Sequence, residues 1–332
     1  MICPVCKKDC VRPAEEVLAE IEQRYQACLA CAPEPNLDKT ARADLLPERI
    51  ERCRSCRRAT LDAVMLDALR LLQSYGLRDE YETLRSVGSP LIEVGYPLAY
   101  SPRLGPGSLI IFGERYSKKA AEAMLREIPE IKGVILSRGV AGVVDSGEKP
   151  QENVLMAGCD LRADISQSLF GELLVYKSQS QIHIEFSRHS APKMKILEQL
   201  YFQGKLRDVV DGLCGPGTLG LMCVLAGAKR VVFNDAWPPA VQNVLLNLEA
   251  NRSLLGIDEI EYPEPAKNVV GKQPILVGRA HGSCEIEVYH GDLLRLFSRT
   301  RPAQLCLIDH FPGANTAELE KACRCCKEIV II

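Results

Sequence analysis

Cysteine is unusually frequent in this chain, with 15 residues among 332. Seven of these cysteines lie close to the N-terminus: Cys3, Cys6, Cys10, Cys28, Cys31, Cys53 and Cys56. Six of the seven form three Cys-x-x-Cys pairs, a spacing at which two thiolates bind one metal ion without strain, and this favours metal ligation over a disulfide framework. Two pairs complete a tetrahedral zinc site. Either the third pair is spare, or a second metal or an iron–sulfur cluster is bound; zinc is the first choice.

A second candidate site begins with the glycine-rich run Asp-Gly-Leu-Cys-Gly-Pro-Gly at 211–217. Glycine at positions 215 and 217 lets the backbone turn tightly and approach a ligand without interference from a Cβ atom. Several nucleotide-binding folds share such a turn, so the polar residues that follow it are more informative.

Three acids end later strands of the same region: Asp235, Asp292 and Asp309. Asp235 follows the glycine turn by about twenty residues, where a carboxylate can accept both ribose hydroxyls of an adenosine. Asp292 is placed to accept from an adenine amino group. Asp309 is followed by His310, and either side chain can deprotonate or orient the nucleophile of a transfer reaction.

Strands and helices alternate strictly around these residues. The predicted strands are 209–211, 231–235, 285–289, 305–309 and 328–332, and the predicted helices are 217–226, 238–251, 293–297 and 317–323. Apolar strands that alternate with helices indicate a parallel, doubly wound sheet, which binds ligands at the carboxyl ends of its strands. The expected fold class is therefore α/β, with a Rossmann-like sheet at the C-terminal end of the chain.

The upstream sequence has a different pattern. It predicts helices over 13–29, 61–75 and 117–126 and strands over 109–112, 133–136, 154–157, 173–176 and 182–186. The last two strands are expected to form a hairpin. We therefore expect a Cys-rich helical metal-binding module (1–86), a small α+β domain (87–198) and the Rossmann-like domain (199–332).

A net charge of −2 argues against a broad nucleic-acid-binding face. Five arginines nevertheless cluster in one short stretch: Arg49, Arg52, Arg54, Arg57 and Arg58. They are either a solvated surface or a phosphate-contacting patch for tRNA or another RNA. No apolar run reaches the ~18 residues of a membrane helix and no signal peptide precedes Cys3, so we expect a cytoplasmic protein without membrane contact.

The glycine turn and the three acids, in this order, resemble the successive motifs of class I S-adenosylmethionine (SAM)-dependent methyltransferases. The resemblance implies a methyltransferase whose SAM pocket lies in the Rossmann-like domain. It places these residues around SAM: Asp211, Gly212, Gly215, Gly217, Asp235, Asp292 and Asp309. Gly215 and Gly217 would flank the methionine moiety.

Residues 118–331 are similar to the archaeal and eukaryotic tRNA guanine N1-methyltransferases and their wybutosine-synthesis relatives. The likeness rests on the run at 118–143, on the predicted hairpin and on 184–188, and it places Arg188 beside the cofactor. That family follows its Phe-Ser-Pro-Arg motif with a catalytic glutamate, whereas 189–195 contains no acid. Its Asn-Leu-Pro after the fourth strand is replaced here by Asp-His-Phe-Pro at 309–312. These departures remove the acid/base expected for guanine N1.

The family's C-terminal hairpin also has no counterpart, so we expect an oligomer or a protein partner to cover that sheet edge. Three functions stay open. The chain could methylate tRNA or another RNA, with the metal module and its arginines as a docking arm. It could transfer a methyl or aminocarboxypropyl group to a small molecule or protein. It could also bind SAM without catalysis, as an assembly or sensor protein.

Overall fold

The structure is a computed structural model that describes residues 1–139, 153–185, 192–266, 273–310 and 316–332. The N-terminal elements, in chain order, are α1 (Ala14–Arg24), a 3₁₀ turn (Ala43–Leu45), β1 (Ala59–Thr60), α2 (Leu61–Ser74) and a second 3₁₀ turn (Leu84–Val87). Both helices predicted here are confirmed, although α1 ends earlier than expected. The Thr60 hydroxyl accepts the Ala63 N–H at 3.1 Å and so caps α2.

The middle segment forms two small sheets. Its elements are β2 (Ser89–Ile92), β3 (Val94–Gly95), β4 (Arg103–Leu104), β5 (Leu109–Gly113), α3 (Lys118–Glu127), β6 (Ile131–Leu136), β7 (Val154–Gly158), β8 (Leu161–Ser168) and β9 (Gly171–Ser178). One sheet has the order β2-β5-β6-β7 and the other β3-β8-β9, while β4 pairs with β1. Buried side chains from α1, α2 and these strands share one hydrophobic core. This hydrophobic core contains residues from both sides of the predicted boundary at residue 86, and the domain boundaries stay predictions.

The predicted hairpin between 173–176 and 182–186 is wrong. β9 instead pairs antiparallel with β8, from Leu161 opposite Ser178 to Ser168 opposite Gly171. The strand β8 was not predicted because two of its buried side chains, on the face opposite its apolar core residues, are charged. Arg162 and Asp164 are both buried and form an ion pair, with 2.7 Å between nitrogen and oxygen.

The C-terminal segment forms a seven-stranded sheet. Its elements are α4 (Pro192–Phe202), β10 (Asp208–Asp211), α5 (Thr218–Leu225), β11 (Arg230–Asp235), α6 (Pro238–Ala250), β12 (Ile257–Glu261), β13 (Ile275–Gly282), β14 (Glu285–His290), a 3₁₀ helix (Leu293–Ser298), β15 (Leu305–Ile308), α7 (Thr316–Cys323) and β16 (Glu328–Ile331). The strand order is β12-β13-β14-β11-β10-β15-β16, and the last five are mutually parallel. The expected Rossmann-like α/β class is confirmed.

Side chains alternate between the two faces of this sheet. Val209 and Val231 belong to one hydrophobic cluster and Val210 and Val232 to another, so each face has its own core. The antiparallel pair β12 and β13 was not predicted, because β12 exposes most of its side chains and lacks the apolar run of the inner strands. No helix within the described residues is long and apolar enough to cross a membrane.

Candidate functional site

The carboxyl ends of four parallel strands meet at one edge of the large sheet. β14, β11, β10 and β15 are neighbours in that order, so the residues that end them lie side by side. Asp211 ends β10, Asp235 ends β11, and Asp309 follows β15. Asp211 is paired with Phe233 and with Leu307, two residues before Asp235 and Asp309, so these three predicted acids lie at one edge of the sheet.

The glycine turn follows β10 and has the backbone that its sequence predicts. Gly215 and Gly217 have φ of +50° and +90°, a region that side chains with a Cβ rarely adopt. A Cβ at Gly217 would lie 3.1 Å from Val244 Cγ2, so this glycine lets α5 pack closely. A Cβ at Gly215 would meet no atom within 4 Å. The turn is therefore open on the side of Gly215, where a ligand can approach the backbone.

Asp235 holds this turn in place. One carboxylate oxygen accepts the Gly215 N–H at 2.9 Å, and the other accepts the Trp237 N–H at 2.8 Å. Burial raises the pKa of Asp235, and the two backbone donors oppose that shift. Each carboxylate oxygen has two acceptor positions, so both oxygens can still receive ligand hydroxyls.

Asp211 is buried beneath the turn. One of its oxygens accepts the Gly220 N–H at 2.9 Å in the first turn of α5. The other oxygen, like the nearby Thr218 hydroxyl, is buried and has no hydrogen-bond partner among the described residues. Burial raises the pKa of Asp211 to about 7, and the neighbouring charges of Asp309 and Asp235 act in the same direction.

This raised pKa predicts a pH-dependent stability. An unfolded aspartate ionises near pH 4, whereas Asp211 in the fold keeps its proton to about pH 7. Between these values the native state binds the extra proton, so its stability falls as pH rises, by at most about 1.4 kcal/mol per pH unit. We expect Asp211→Asn to flatten that slope in urea unfolding of the ligand-free protein. Equal slopes in the two proteins would contradict the raised pKa.

Asp292 has a local structural role at the end of β14. Its side chain accepts the Leu294 N–H at 2.9 Å and so begins the 3₁₀ helix. The preceding His290 was not singled out from the sequence. Its Nε2 lies 3.1 Å from the Ala236 carbonyl, its Nδ1 is buried without a partner among the described residues, and burial lowers its pKa.

Asp309 is not alone at the end of β15. Its carboxylate accepts a hydrogen bond from the ammonium group of Lys193 at 2.6 Å, and Lys193 also lies 2.9 Å from a carboxylate oxygen of Glu185. Burial raises the pKa of Asp309, and Lys193 opposes that shift. His310 also lowers the pKa of this carboxyl group, by less than Lys193 does. Sequence reasoning missed Lys193 and Glu185, because the fold brings Lys193 to Asp309 across 116 residues of sequence and no local spacing signals that contact. Arg188, predicted beside the cofactor, lies outside the described residues.

The cysteines form two separate clusters rather than one. The module cluster consists of Cys28, Cys31, Cys53 and Cys56, and the bridging cluster consists of Cys3, Cys6, Cys10 and Cys159. Within each cluster all sulfur atoms lie within 4.8 Å of one another. The predicted ligands Cys3 and Cys6 therefore lie apart from the other two pairs. Cys159 was missed because it stands alone in the middle segment, far from any other cysteine in sequence.

No family model and no curated protein sequence matches the chain. Solved structures are similar to it. The tRNA m1G37 methyltransferase of M. jannaschii has a TM-score of 0.41 and 14% identity, over 81% of this chain and 64% of that one. TYW2 of Pyrococcus horikoshii, in complex with MeSAdo, has a TM-score of 0.40 and 16% identity, over 78% of this chain and 76% of that one.

Trm1 of Pyrococcus horikoshii, in complex with S-adenosyl-L-methionine, is a third similar structure. Its TM-score is 0.36 and its identity 22%, over 49% of this chain and 40% of that one. The chain thus spans less than two thirds of the length of the M. jannaschii enzyme and of Trm1.

Proposed function

We propose that this chain is a SAM-dependent methyltransferase. The proposal rests on one observation: the glycine turn opens beside Gly215 at the sheet edge where Asp211, Asp235 and Asp309 meet. An open parallel sheet binds nucleotides at this edge, and backbone without a Cβ lets them approach closely. When bound, SAM supplies a methyl group on a positively charged sulfur.

The polar groups at this edge fit such a cofactor. Asp211 and Thr218 each have a buried oxygen without a partner among the described residues, and ligand donors can satisfy both oxygens. Asp235 can accept ribose hydroxyls while it keeps its two backbone donors. Gly212, against Leu293 and the Leu307 carbonyl, holds the turn close to the sheet.

We assign proton transfer to Asp309. Among the described residues Lys193 binds its Oδ2 atom, and we assign to Oδ1 the acceptance of a proton from the incoming nucleophile. Lys193 favours the charged form of that carboxylate and fixes its orientation, so Lys193 is a positioning residue. His310 follows directly and is a second candidate for the same proton.

We propose RNA, with tRNA first, as the methyl acceptor. The support is the sequence resemblance to tRNA guanine N1-methyltransferases and two exposed arginines, Arg54 and Arg57. The arginine patch is smaller than the sequence suggested. Arg52 is engaged by Glu130 and Asp67, and Arg49 lies 3.7 Å from Glu51.

Transfer of a labelled methyl group from SAM tests this acceptor. The purified protein and labelled SAM are added to an extract of cells that lack the gene, and we expect the label in the RNA fraction. The variant with both Arg54→Ala and Arg57→Ala should transfer less label to that fraction. Label only in protein or in small molecules would reject RNA and retain the methyltransferase. No label in any fraction, despite SAM binding, would indicate a SAM-binding protein without catalysis.

We further propose that the module cluster binds zinc. Its neighbouring sulfur atoms lie 3.6 to 3.7 Å apart. Tetrahedral zinc with Zn–S bonds of about 2.3 Å holds its sulfur ligands about 3.8 Å apart. In an iron–sulfur cluster the four thiolates are divided between two or four sulfide-bridged irons, which spreads the ligands more widely.

Asp235→Ala should weaken SAM binding by about 1–3 kcal/mol, roughly 5- to 150-fold, because the ribose loses a charged acceptor. Calorimetry measures this directly, and Asp258→Ala on exposed β12 is the matched control. A 2′-deoxy analogue of S-adenosylhomocysteine separates the ribose contact from the turn. If Asp235 binds the 2′-hydroxyl, Asp235→Ala should bind S-adenosylhomocysteine and its 2′-deoxy analogue with equal affinity. Full discrimination in Asp235→Ala would reject the ribose assignment.

A further inference from the structure

The bridging cluster joins two parts of the chain that are distant in sequence. Cys3 lies in the N-terminal segment and Cys159 in the turn between β7 and β8, yet their sulfur atoms are 3.7 Å apart. Cys10 lies 3.9 Å from Cys159 and 3.6 Å from Cys6. These sulfurs are too far apart for disulfides, whose S–S bond is about 2.05 Å, and their spacing matches the edge of a zinc–thiolate tetrahedron.

The turn that carries Cys3 and Cys6 repeats the geometry of the turn that carries Cys53 and Cys56. The Cys3 N–H donates to the Lys8 carbonyl at 2.9 Å, and the Lys7 N–H donates to the Cys3 carbonyl at 3.1 Å. Lys7 has a φ of +59°, which is unfavourable for a side chain with a Cβ.

The module cluster shows the same pattern. The Cys53 N–H donates to the Arg58 carbonyl at 3.0 Å, the Arg57 N–H donates to the Cys53 carbonyl at 2.8 Å, and Arg57 has a φ of +58°. Two independent Cys-x-x-Cys turns thus adopt one costly conformation, each within a four-sulfur cluster. A shared ligand chemistry explains this recurrence.

We propose that the bridging cluster is a second zinc site, separate from the module cluster, which staples the N-terminal segment to the middle sheets. Cys3 and Cys159 are almost fully buried, at 0% and 4% exposure, whereas all four thiols of the module cluster are partly exposed. Zinc in the bridging cluster is therefore less accessible to solvent than zinc in the module cluster.

The staple acts where the N-terminal segment crosses β9. The Arg12 N–H donates to the Tyr176 hydroxyl at 2.9 Å, and that hydroxyl donates to the Arg12 carbonyl at 3.1 Å. Cys159 is followed by Asp160, whose carboxylate accepts the Ser180 N–H at 2.8 Å. Zinc in this cluster thus fixes both the N-terminal segment and the turn after β9.

Metal content of the full-length protein, purified anaerobically, tests the proposal. We expect native mass spectrometry and elemental analysis to find two zinc ions per chain. Cys159→Ser should retain one, and Cys56→Ser should also retain one. The matched control Cys284→Ser changes a buried thiol of the large sheet and should retain two.

One zinc in the wild type, two in Cys159→Ser, or a different metal in the cluster would overturn the proposal. Should Cys159→Ser fail to fold, cobalt exchange into the wild type decides, because two equivalents must bind with tetrahedral thiolate spectra. Hydrogen exchange in Cys159→Ser should increase in residues 1–12 and 176–182 while α5 stays protected. SAM affinity is measured separately, so a failed zinc proposal leaves the methyltransferase proposal untouched.

Discussion

Asp309→Asn should slow methyl transfer by about 10²–10⁴-fold and leave SAM affinity nearly unchanged. The variant keeps the shape of the side chain and its place beside Lys193, but the amide cannot accept a proton from the nucleophile. Single-turnover transfer to the labelled acceptor fraction measures the rate, and calorimetry measures the affinity. The change should appear in kcat because the proton moves only during the reaction.

Two further variants test the reason for that loss. Lys193→Gln removes the charge that opposes the raised pKa of Asp309, so the acid limb of the pH–rate profile should move to higher pH. A merely structural Lys193 would lower the rate without moving the limb. Asp258→Asn, on the exposed strand β12, is the control and should leave the profile unchanged. Full turnover by Asp309→Ala would mean that the base lies elsewhere, with His310 the next residue to change.

The large sheet was predictable because its inner strands are buried on both faces. Val209, Val210, Val231 and Val232 form short apolar runs bounded by turn residues, and the helices between these runs favour parallel pairing. The glycine turn was predictable because only glycine adopts the positive φ at Gly217 without strain.

The missed features have two physical causes. β8 contains a buried ion pair, and a charged residue in a sequence is normally taken as exposed. Cys159 and Lys193 each act through contacts with residues more than a hundred positions away, and no local spacing signals such a partner. Asp292 caps the 3₁₀ helix with one carboxylate oxygen, and its assignment to the adenine amino group stays a prediction. A short polar residue after a strand serves either purpose, and the sequence does not separate them.

Metal removal from the module cluster should unfold the loops on either side of it. Few side chains between Gln26 and Arg58 are buried, so the chain there has little apolar surface to order it without metal. Structural zinc stabilises small domains by about 10–16 kcal/mol at neutral pH, far more than these contacts provide.

We therefore expect a zinc chelator, or Cys53→Ser with Cys56→Ser, to open the exposed Arg54 and Arg57 to trypsin within minutes. The Arg42–Ala43 bond, at the start of the 3₁₀ turn Ala43–Leu45, should resist longer, because the Arg70 guanidinium donates to the carbonyls of Ala43 and Leu46 at 3.1 and 3.0 Å. Cys325→Ser, an exposed thiol near the C-terminus, is the control and should not change the cleavage pattern.

Cleavage at Arg54 and Arg57 that is equally slow with and without metal would show that the loops fold on their own contacts and that the cluster has no structural ion. Cleavage that spreads at once into α2 would show that the module and the middle sheets unfold as one unit, as their shared core allows. SAM binding distinguishes these results from global unfolding. The proposed SAM pocket lies on the large sheet, whose two cores contain none of the cysteines of the module cluster, so SAM affinity should survive the loss of this zinc.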